Sequence, residues 1–217
     1  PKEQLTKRLD DDFCLLVNPF PILPVHFTIP ALHHEPQAIL SHYGEVHKLL
    51  SRYKALMVFY NGPKCGASAP DHQHLQAGES GLVPLQREWK RMQKSLEPIV
   101  TLNEDNDVCL LRDFVVPALV IRSTSAESDE KLFHLVYKCL PLRDGETEPM
   151  MNIVAWCEGR QYISVVIPRE KHRPDCYSDE GEKRLLVSPG ALDMSGLLIV
   201  PREEDFNKLT ETQAETI

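Results

Sequence analysis

The stretch NGPKCGASAPDHQHLQAG, residues 61 to 78, decides how this chain is read. It sets a turn rich in glycine, alanine and serine against a run in which His72, His74 and Gln76 fall at every second position. In a β-strand alternate side chains share a face, roughly 7 Å apart. Read as a strand, HQHLQAG therefore lines three polar groups along one wall and turns Gln73, Leu75 and Ala77 to the other. An unpartnered polar group in a core costs about 1–3 kcal/mol. The wall thus either faces a ligand or forms the polar outer face of an edge strand. Just before it, Gly62, Gly66 and the small residues Ala67, Ser68 and Ala69 let the backbone come close to a ligand, and exposed amides with a serine hydroxyl suit phosphate oxygens. A neutral imidazole aimed at phosphorus held by such donors is set up for nucleophilic attack, with a phosphoramidate on histidine as product.

Outward from this stretch, FCLLVNPFPILPVHFTIP (residues 13 to 30) reads as two short strands, CLLVN and HFTIP, joined by a proline-rich turn. Ile39, Leu40, Tyr43, Val46, Leu49 and Leu50 recur at helical spacing and predict an amphipathic helix over 36–52. LMVFYN then returns to strand. A second helix is predicted over 84–97, with Leu85, Trp89, Met92 and Leu96 inward, followed by an acidic loop, LNEDND. FVVPALVIRS reads as a strand interrupted by proline, SDEKLFHLVYKCL as a helix with a serine or aspartate cap, and RDGETEP as the best linker. MNIVAWCEGRQYISVVIP predicts a hairpin turning at Glu158 and Gly159. Trp89 and Trp156 are most simply core. These elements predict an α+β fold, an antiparallel sheet with flanking helices. VHFTIPALHHEP and SVVIPREKHRP share a β-branched strand, Ile-Pro, a histidine and a further proline, and LLIVPREED repeats the strand ending. The echo predicts two related halves: residues 1–142, which hold the His-x-His-x-Gln motif, and 143–217, which lack it and pack on the first.

At 217 residues and 42% hydrophobic the chain can bury a substantial core. Its apolar runs are broken by proline and fall short of the roughly 20 residues that cross a bilayer, so no membrane partner is expected. A net charge of −8 and a pI near 5.6 disfavour a nucleic-acid polymer, whereas a small phosphorylated ligand needs only local donors. The cysteines, at 14, 65, 109, 139, 157 and 176, form neither a disulfide scaffold nor a zinc knuckle, and their spacing fits a reducing cytoplasm.

Asn61, then Gly-Ala-Ser, then His-x-His-x-Gln resembles the active-site segment of the histidine-triad superfamily in its transferase branch. That branch holds the galactose-1-phosphate uridylyltransferases, the diadenosine tetraphosphate phosphorylases and the GDP-hexose phosphorylases, and GASAPDHQHLQ is closest to the phosphorylase form. NPFPILPVHFTIP resembles the earlier strand pair of the same proteins. The matched segments cover residues 13 to 36 and 56 to 78, with a weaker match over 151 to 202.

The resemblance implies a histidine-triad-like sheet, duplicated, and a nucleotidyltransferase or phosphorylase acting on a nucleotide sugar or dinucleoside polyphosphate. His74 would take the nucleotidyl group covalently, and phosphate or a sugar phosphate would accept it. The backbone carbonyl of His72 would set the tautomer of the His74 ring. Gln76 would bind a phosphate oxygen, Ser68 and the amides of Gly66 and Ala67 would hold transition-state charge, and Asn61 and Asn18 would support phosphate or ribose. Glutamine at the third position cannot shuttle protons near neutrality, which favours transfer to a phosphate over transfer to water. A hydrolase using the same histidine, or a nucleotide-binding module without turnover, is the alternative. The uridylyltransferases often carry zinc on an upstream Cys-x-x-Cys and the first motif histidine, here His72; no such pair occurs in the sequence, so zinc is unsupported and no cofactor is evident. The two halves come together either within one chain or across a homodimer.

Arg169, Lys171, His172 and Arg173 follow a strand of the second half and could hold acceptor or outer phosphates, against the plainer reading of a solvated basic loop. His33 and His34 read as surface or structural residues, and His26 as a structural histidine at a place where the family often has one. SPGALDMSG, residues 188 to 196, is a turn that a two-halved fold would bring near the site.

Overall fold

The computed structural model describes residues 4–217. It contains one ten-stranded sheet: β1 (Thr6–Arg8), β2 (Cys14–Val17), β3 (His26–Pro30), β4 (Leu56–Asn61), β5 (His74–Glu79), β6 (Glu97–Asn103), β7 (Asn106–Leu111), β8 (Ala118–Ser123), β9 (Met151–Glu158) and β10 (Gln161–Pro168). Helix α1 (Tyr43–Arg52) precedes β4, the short α2 (Pro84–Arg87) and α3 (Trp89–Met92) follow β5, and α4 (Ala126–Cys139) precedes β9. After β10 come α5 (Ala191–Met194), α6 (Glu203–Lys208) and α7 (Glu211–Thr216). The spatial order is β1-β2-β3-β5-β4-β9-β10-β8-β7-β6, every neighbouring pair antiparallel. The fold is α+β.

The strand order reads the same from either edge. Each set of five has a helix before its fourth strand, and the two fourth strands, β4 and β9, meet at the centre with Val58 opposite Ala155. The expected boundary between residues 142 and 143 falls inside the second set, in the loop between α4 and β9. Across it β9 pairs with β4 and β10 pairs with β8.

Both faces of the central strands are covered, as their unbroken apolar character requires. Val58, Tyr60, Ile153 and Ala155 point to the face carrying α1 and α4. There the Tyr43 ring stacks on Phe133 at 3.7 Å, and Ser125 caps α4 by accepting from Ser128 N–H at 3.2 Å. Met57, Phe59, Val154 and Trp156 point to the other face. Trp89 meets Trp156 edge to face at 5.1 Å over the second set of strands, and Ala191 and Leu192 of α5 complete the layer.

Several elements depart from expectation. The first helix begins at Tyr43, not at residue 36, because residues 36–42 are tied elsewhere: Ala38 N–H donates to Gln73 Oε1 (2.8 Å) and Ile39 N–H to Glu148 Oε2 (2.9 Å). The helix expected over 84–97 is two short helices and a 3-10 turn, Gln93–Ser95, after which β6 starts. LNEDND is the β6–β7 hairpin, closed by the pair Asn103 and Asn106. The β9–β10 hairpin turns at Gly159 and Arg160, one residue later than predicted, with Gly159 at φ 63°. RDGETEP is a loop, yet its Glu148 is buried beneath Tyr60.

Candidate active site

A pocket of about 390 Å³ opens on the α5 side of the sheet, at the end where β4 leaves it. Its lining includes Asn18, His26, Asn61, Gly66, Ser68 and Gln76. Five of these are residues the sequence singled out for ligand contact. Turn 188–196 also reaches it, through Ser188, Gly190, Ala191 and Asp193.

The strand is shorter than predicted. β5 starts at His74, and His72 sits in the preceding turn, so the expected three-residue wall is two residues long, His74 and Gln76. The His72 ring turns away from the pocket: its Nε2 lies 2.8 Å from the Ala31 carbonyl oxygen and its Nδ1 3.1 Å from Nδ1 of His34. What His72 offers the site is its backbone oxygen. That oxygen lies 2.9 Å from His74 Nδ1, and a carbonyl only accepts, so Nδ1 carries the proton and Nε2 keeps a lone pair. Burial lowers the pKa of His74, outweighing the His72 hydrogen bond that raises it, and so keeps the ring neutral. His74 is 5% exposed, and its ring stands one same-face position from Gln76 rather than among the pocket-lining residues.

Three carboxamides in the pocket have their oxygens occupied by unambiguous donors. Asn18 Oδ1 accepts from Phe20 N–H (2.9 Å), and Asn61 Oδ1 accepts from Ala191 N–H (2.7 Å) and Asn152 Nδ2 (2.9 Å). For Gln76 the donor is His26: Ile22 N–H donates to His26 Nδ1 (3.1 Å), which puts the proton on Nε2, and this donates to Gln76 Oε1 at 2.8 Å. Burial lowers the pKa of His26, in keeping with a neutral ring. The 3.4 Å approach of Asn18 Nδ2 to the same nitrogen therefore sets two donors side by side and is no hydrogen bond. Among the described residues, all three amide NH2 groups remain as free donors, and the backbone N–H groups of residues 66 to 69 also donate to no protein acceptor. These donors are neutral and of a kind that suits an anion, and the Asp193 carboxylate at the same pocket is occupied by the N–H groups of Gly190 (2.8 Å) and Ile199 (2.7 Å).

Gly66 is required by the loop's shape. It has φ 90°, and a Cβ there would lie 2.7 Å from Gly190 Cα and 2.8 Å from the Pro189 oxygen. Behind this contact Arg169 Nη1 donates to Asn152 Oδ1 (2.7 Å) and to the Pro189 oxygen (3.0 Å), and Asn152 in turn holds Asn61 and the Cys65 carbonyl. Arg169 thus braces the pocket from behind. Burial pushes the Cys65 thiol up to about 12, so it stays protonated.

Lys171 lies elsewhere, in a larger cavity of about 620 Å³ with Arg173 and Lys183, where Glu170, Asp175 and Asp179 offset the charge. Its ammonium pairs with Asp175 at 2.7 Å. The smaller cavity is the better site despite its size, because it gathers Asn18, Asn61, Gly66, Ser68 and Gln76, and His74 stands one same-face position from Gln76. Ala67 lies between Gly66 and Ser68 without lining the pocket. Sequence reasoning missed Gln37, Asn152 and Glu148, and the apolar rim made by Phe20, Ile22, Leu186 and Ile199. The run NPFPILP held a signal for that rim, since exposed apolar residues between prolines pack poorly as core.

The zinc arrangement of the uridylyltransferases does not fit here. Both ring nitrogens of His72 are engaged, and among the described residues no group of three or more His, Cys, Asp or Glu side chains is placed to hold a metal ion. No helix among them is long and apolar enough to cross a membrane.

No curated protein matches the chain. Among solved structures, yeast Ap4A phosphorylase Apa2 in complex with AMP is similar with a TM-score of 0.61 and 22% identity, over 96% of this chain and 73% of that one. The same yeast protein in complex with Ap4A gives 0.57 and 20%, over 96% and 73%. A DUF4931 family protein from Bacillus cereus ATCC 10987 gives 0.54 and 16%, over 87% and 94%. These likenesses show the fold. A domain of unknown function, DUF4922, matches residues 1–79, and the family described as GDPGP1-like, C-terminal domain, matches residues 91–217. The chain belongs to this GDPGP1-like family.

Proposed function

We propose that this protein transfers a nucleotidyl group in two displacements through a covalent bond to His74. In the first, the Nε2 lone pair attacks the phosphorus of a nucleotide sugar or dinucleoside polyphosphate. The N–P bond forms as the P–O bond breaks, and the departing sugar phosphate or nucleotide carries away the electron pair. In the second, an oxygen of phosphate or a sugar phosphate attacks the same phosphorus and the N–P bond breaks. An ionised phosphate acceptor needs no general base, so glutamine serves at position 76.

The observation that carries this reading is the tautomer of His74: Nδ1 is held by the His72 carbonyl and Nε2 is the unprotonated nitrogen. The free amide groups of Gln76, Asn61 and Asn18, the Ser68 hydroxyl, and the backbone N–H groups of Gly66 and Ala67 would receive the phosphate oxygens and the charge that grows on them. Arg169 supports the Asn61 end through Asn152. We assign Lys171 no part in the first displacement. The names of the yeast structures, a phosphorylase with AMP and with Ap4A, agree in kind.

We also propose that the mirrored strand order reflects a duplication within one chain, with its boundary between α3 and β6.

The test uses labelled adenosine, guanosine and uridine donors. With phosphate present, release of a nucleoside diphosphate or higher product is expected, and without phosphate the label should stay on the protein. Release of nucleoside monophosphate into water at an unchanged rate without phosphate would replace this reading with the hydrolase.

A further inference from the structure

β4 and β5 separate within the motif, two residues short of His74. Their pairing runs from Leu56 opposite Glu79 to Phe59 opposite Gln76 and stops. Beyond it, Tyr60 and Asn61 pair only with β9, opposite Ile153 and Asn152, while His74 pairs only with β3, opposite Pro30. The gap left between Asn61 and His74 is occupied by the side chain of Gln37, which is 0% exposed. Its Nε2 donates to the carbonyl oxygens of Asn61 (2.9 Å) and His74 (3.0 Å), and its Oε1 accepts from His74 N–H at 2.7 Å.

One neutral carboxamide therefore replaces the peptide groups that would have continued the ladder. Its two donors and its acceptor are all used, a combination that ionised glutamate, which lacks a donor, and methionine, which lacks both, cannot supply. Gln37 is itself held in place. Its N–H donates to the Pro70 oxygen (3.1 Å), the next N–H, of Ala38, to Gln73 Oε1 (2.8 Å), and that of Ile39 to Glu148 Oε2 (2.9 Å). Gln73 N–H closes the stitch on the Glu35 oxygen at 2.7 Å.

We propose that Gln37 is a positioning residue for His74. It wedges β4 from β5 so that residues 62–69 can open toward an anion, and it clamps the backbone of His74 on both its N–H and its C=O. With that backbone fixed, the ring can keep its Nδ1 proton on the His72 oxygen, two residues back. The wedge and the tautomer are then one device. This inference rests on the reading of His74 as the nucleophile.

Gln37→Met, close in size and without hydrogen bonds, tests it. The expected variant is folded and binds AMP and GMP within about threefold of the wild type, because the methionine side chain still holds β4 and β5 apart and only the clamp on the His74 backbone is lost. Its rate of nucleotidyl-histidine formation falls about 30- to 100-fold, the scale of a misplaced reacting group. Nitrogen NMR of the His74 ring should show a single Nδ1–H tautomer in the wild type and a mixture in the variant. If Gln37→Met does not fold, Gln37→Asn, which keeps the amide but is too short to span both strands, is expected to show the same two changes. A folded variant with the tautomer intact and adduct formation within about twofold of wild type would overturn the inference. If the wild type forms no adduct, the proposed function fails, and the ring tautomer still decides the part played by Gln37.

Discussion

On the α5 side of the sheet, β5 presents His74, Gln76 and Gly78, whereas β10, which holds the same place beside its central strand, presents the buried Ile163, Val165 and Ile167. Trp156, Trp89 and Met92 fill the space over the second set of strands, and the equivalent space over the first is a pocket of about 390 Å³. A common strand order therefore supports two outcomes. One set of side chains excludes water and holds the sheet together, and the other leaves donors unpaired for a ligand. Polar groups are tolerated on β5 because each has an oxygen or ring nitrogen tied within the protein, which leaves the Gln76 NH2 group and the His74 Nε2 lone pair for a ligand.

If the second set supplies stability and the first supplies chemistry, substitutions should separate along that line. The largest effect is expected from Trp89→Ala, which removes the edge-to-face partner of Trp156 and leaves a cavity. Chemical unfolding should show a loss of about 3–5 kcal/mol, with the adduct rate of the remaining folded protein little changed.

Next comes Gln76→Val, which copies Val165 into the pocket. It removes one phosphate donor and should lower kcat/KM about 100-fold, while stability stays within about 1 kcal/mol because the site is half-open to solvent. A larger loss of stability than of activity would show that Gln76 is a structural residue, and the contrast between the two sets would fail.

The two sets agree in one respect, and this sharpens the comparison. On the helix side each holds a buried carboxylate, Glu148 under Tyr60 and Asp129 beside Ser123 and Tyr43, and burial raises both pKa values to about 7. A carboxyl whose pKa is raised on folding contributes stability below the ordinary carboxylate range and loses it as pH rises through about 7. Replacing both, Glu148→Gln with Asp129→Asn, should flatten the fall in stability between the ordinary carboxylate range and neutrality by about 1–3 kcal/mol. His26 and His74 act in the opposite direction: their pKa values are lowered, so their contribution is present above the ordinary histidine value and is lost as pH falls through the folded one. The smallest effect expected is on the rate. Because His74 attacks as the neutral ring, adduct formation should be level through neutrality and fall only below about pH 6.5. A fall that begins above that pH would contradict the burial of the ring.

Much of this was legible in the sequence. The apolar run LMVFYN and the alternation in HLQAG placed two adjoining strands, and of the polar residues at alternate positions Gln76 lines the pocket. The glycine of GASAP pointed to a close backbone approach, and Gly66 makes one with Gly190. What escaped were features set by distant partners. The periodicity that extended α1 back to residue 36 could not show that Gln73 and Glu148 capture the backbone at residues 38 and 39. His72 could not be told from a strand residue, because its departure depends on Ala31 and His34. Gln37, an ordinary polar residue after a proline, gave no local signal. The central pairing of β4 with β9, strands more than 80 residues apart in sequence, likewise had no local signal.

The most direct test is intact-protein mass spectrometry after incubation with diadenosine tetraphosphate, and separately with a GDP-hexose, in the absence of phosphate. The account predicts that one of these donors adds a single nucleotidyl group. The adduct should be labile in mild acid, map to His74, be discharged by added phosphate, and be missing from folded His74→Ala. Nucleotide binding without any covalent adduct, or an adduct that persists in His74→Ala, would contradict it.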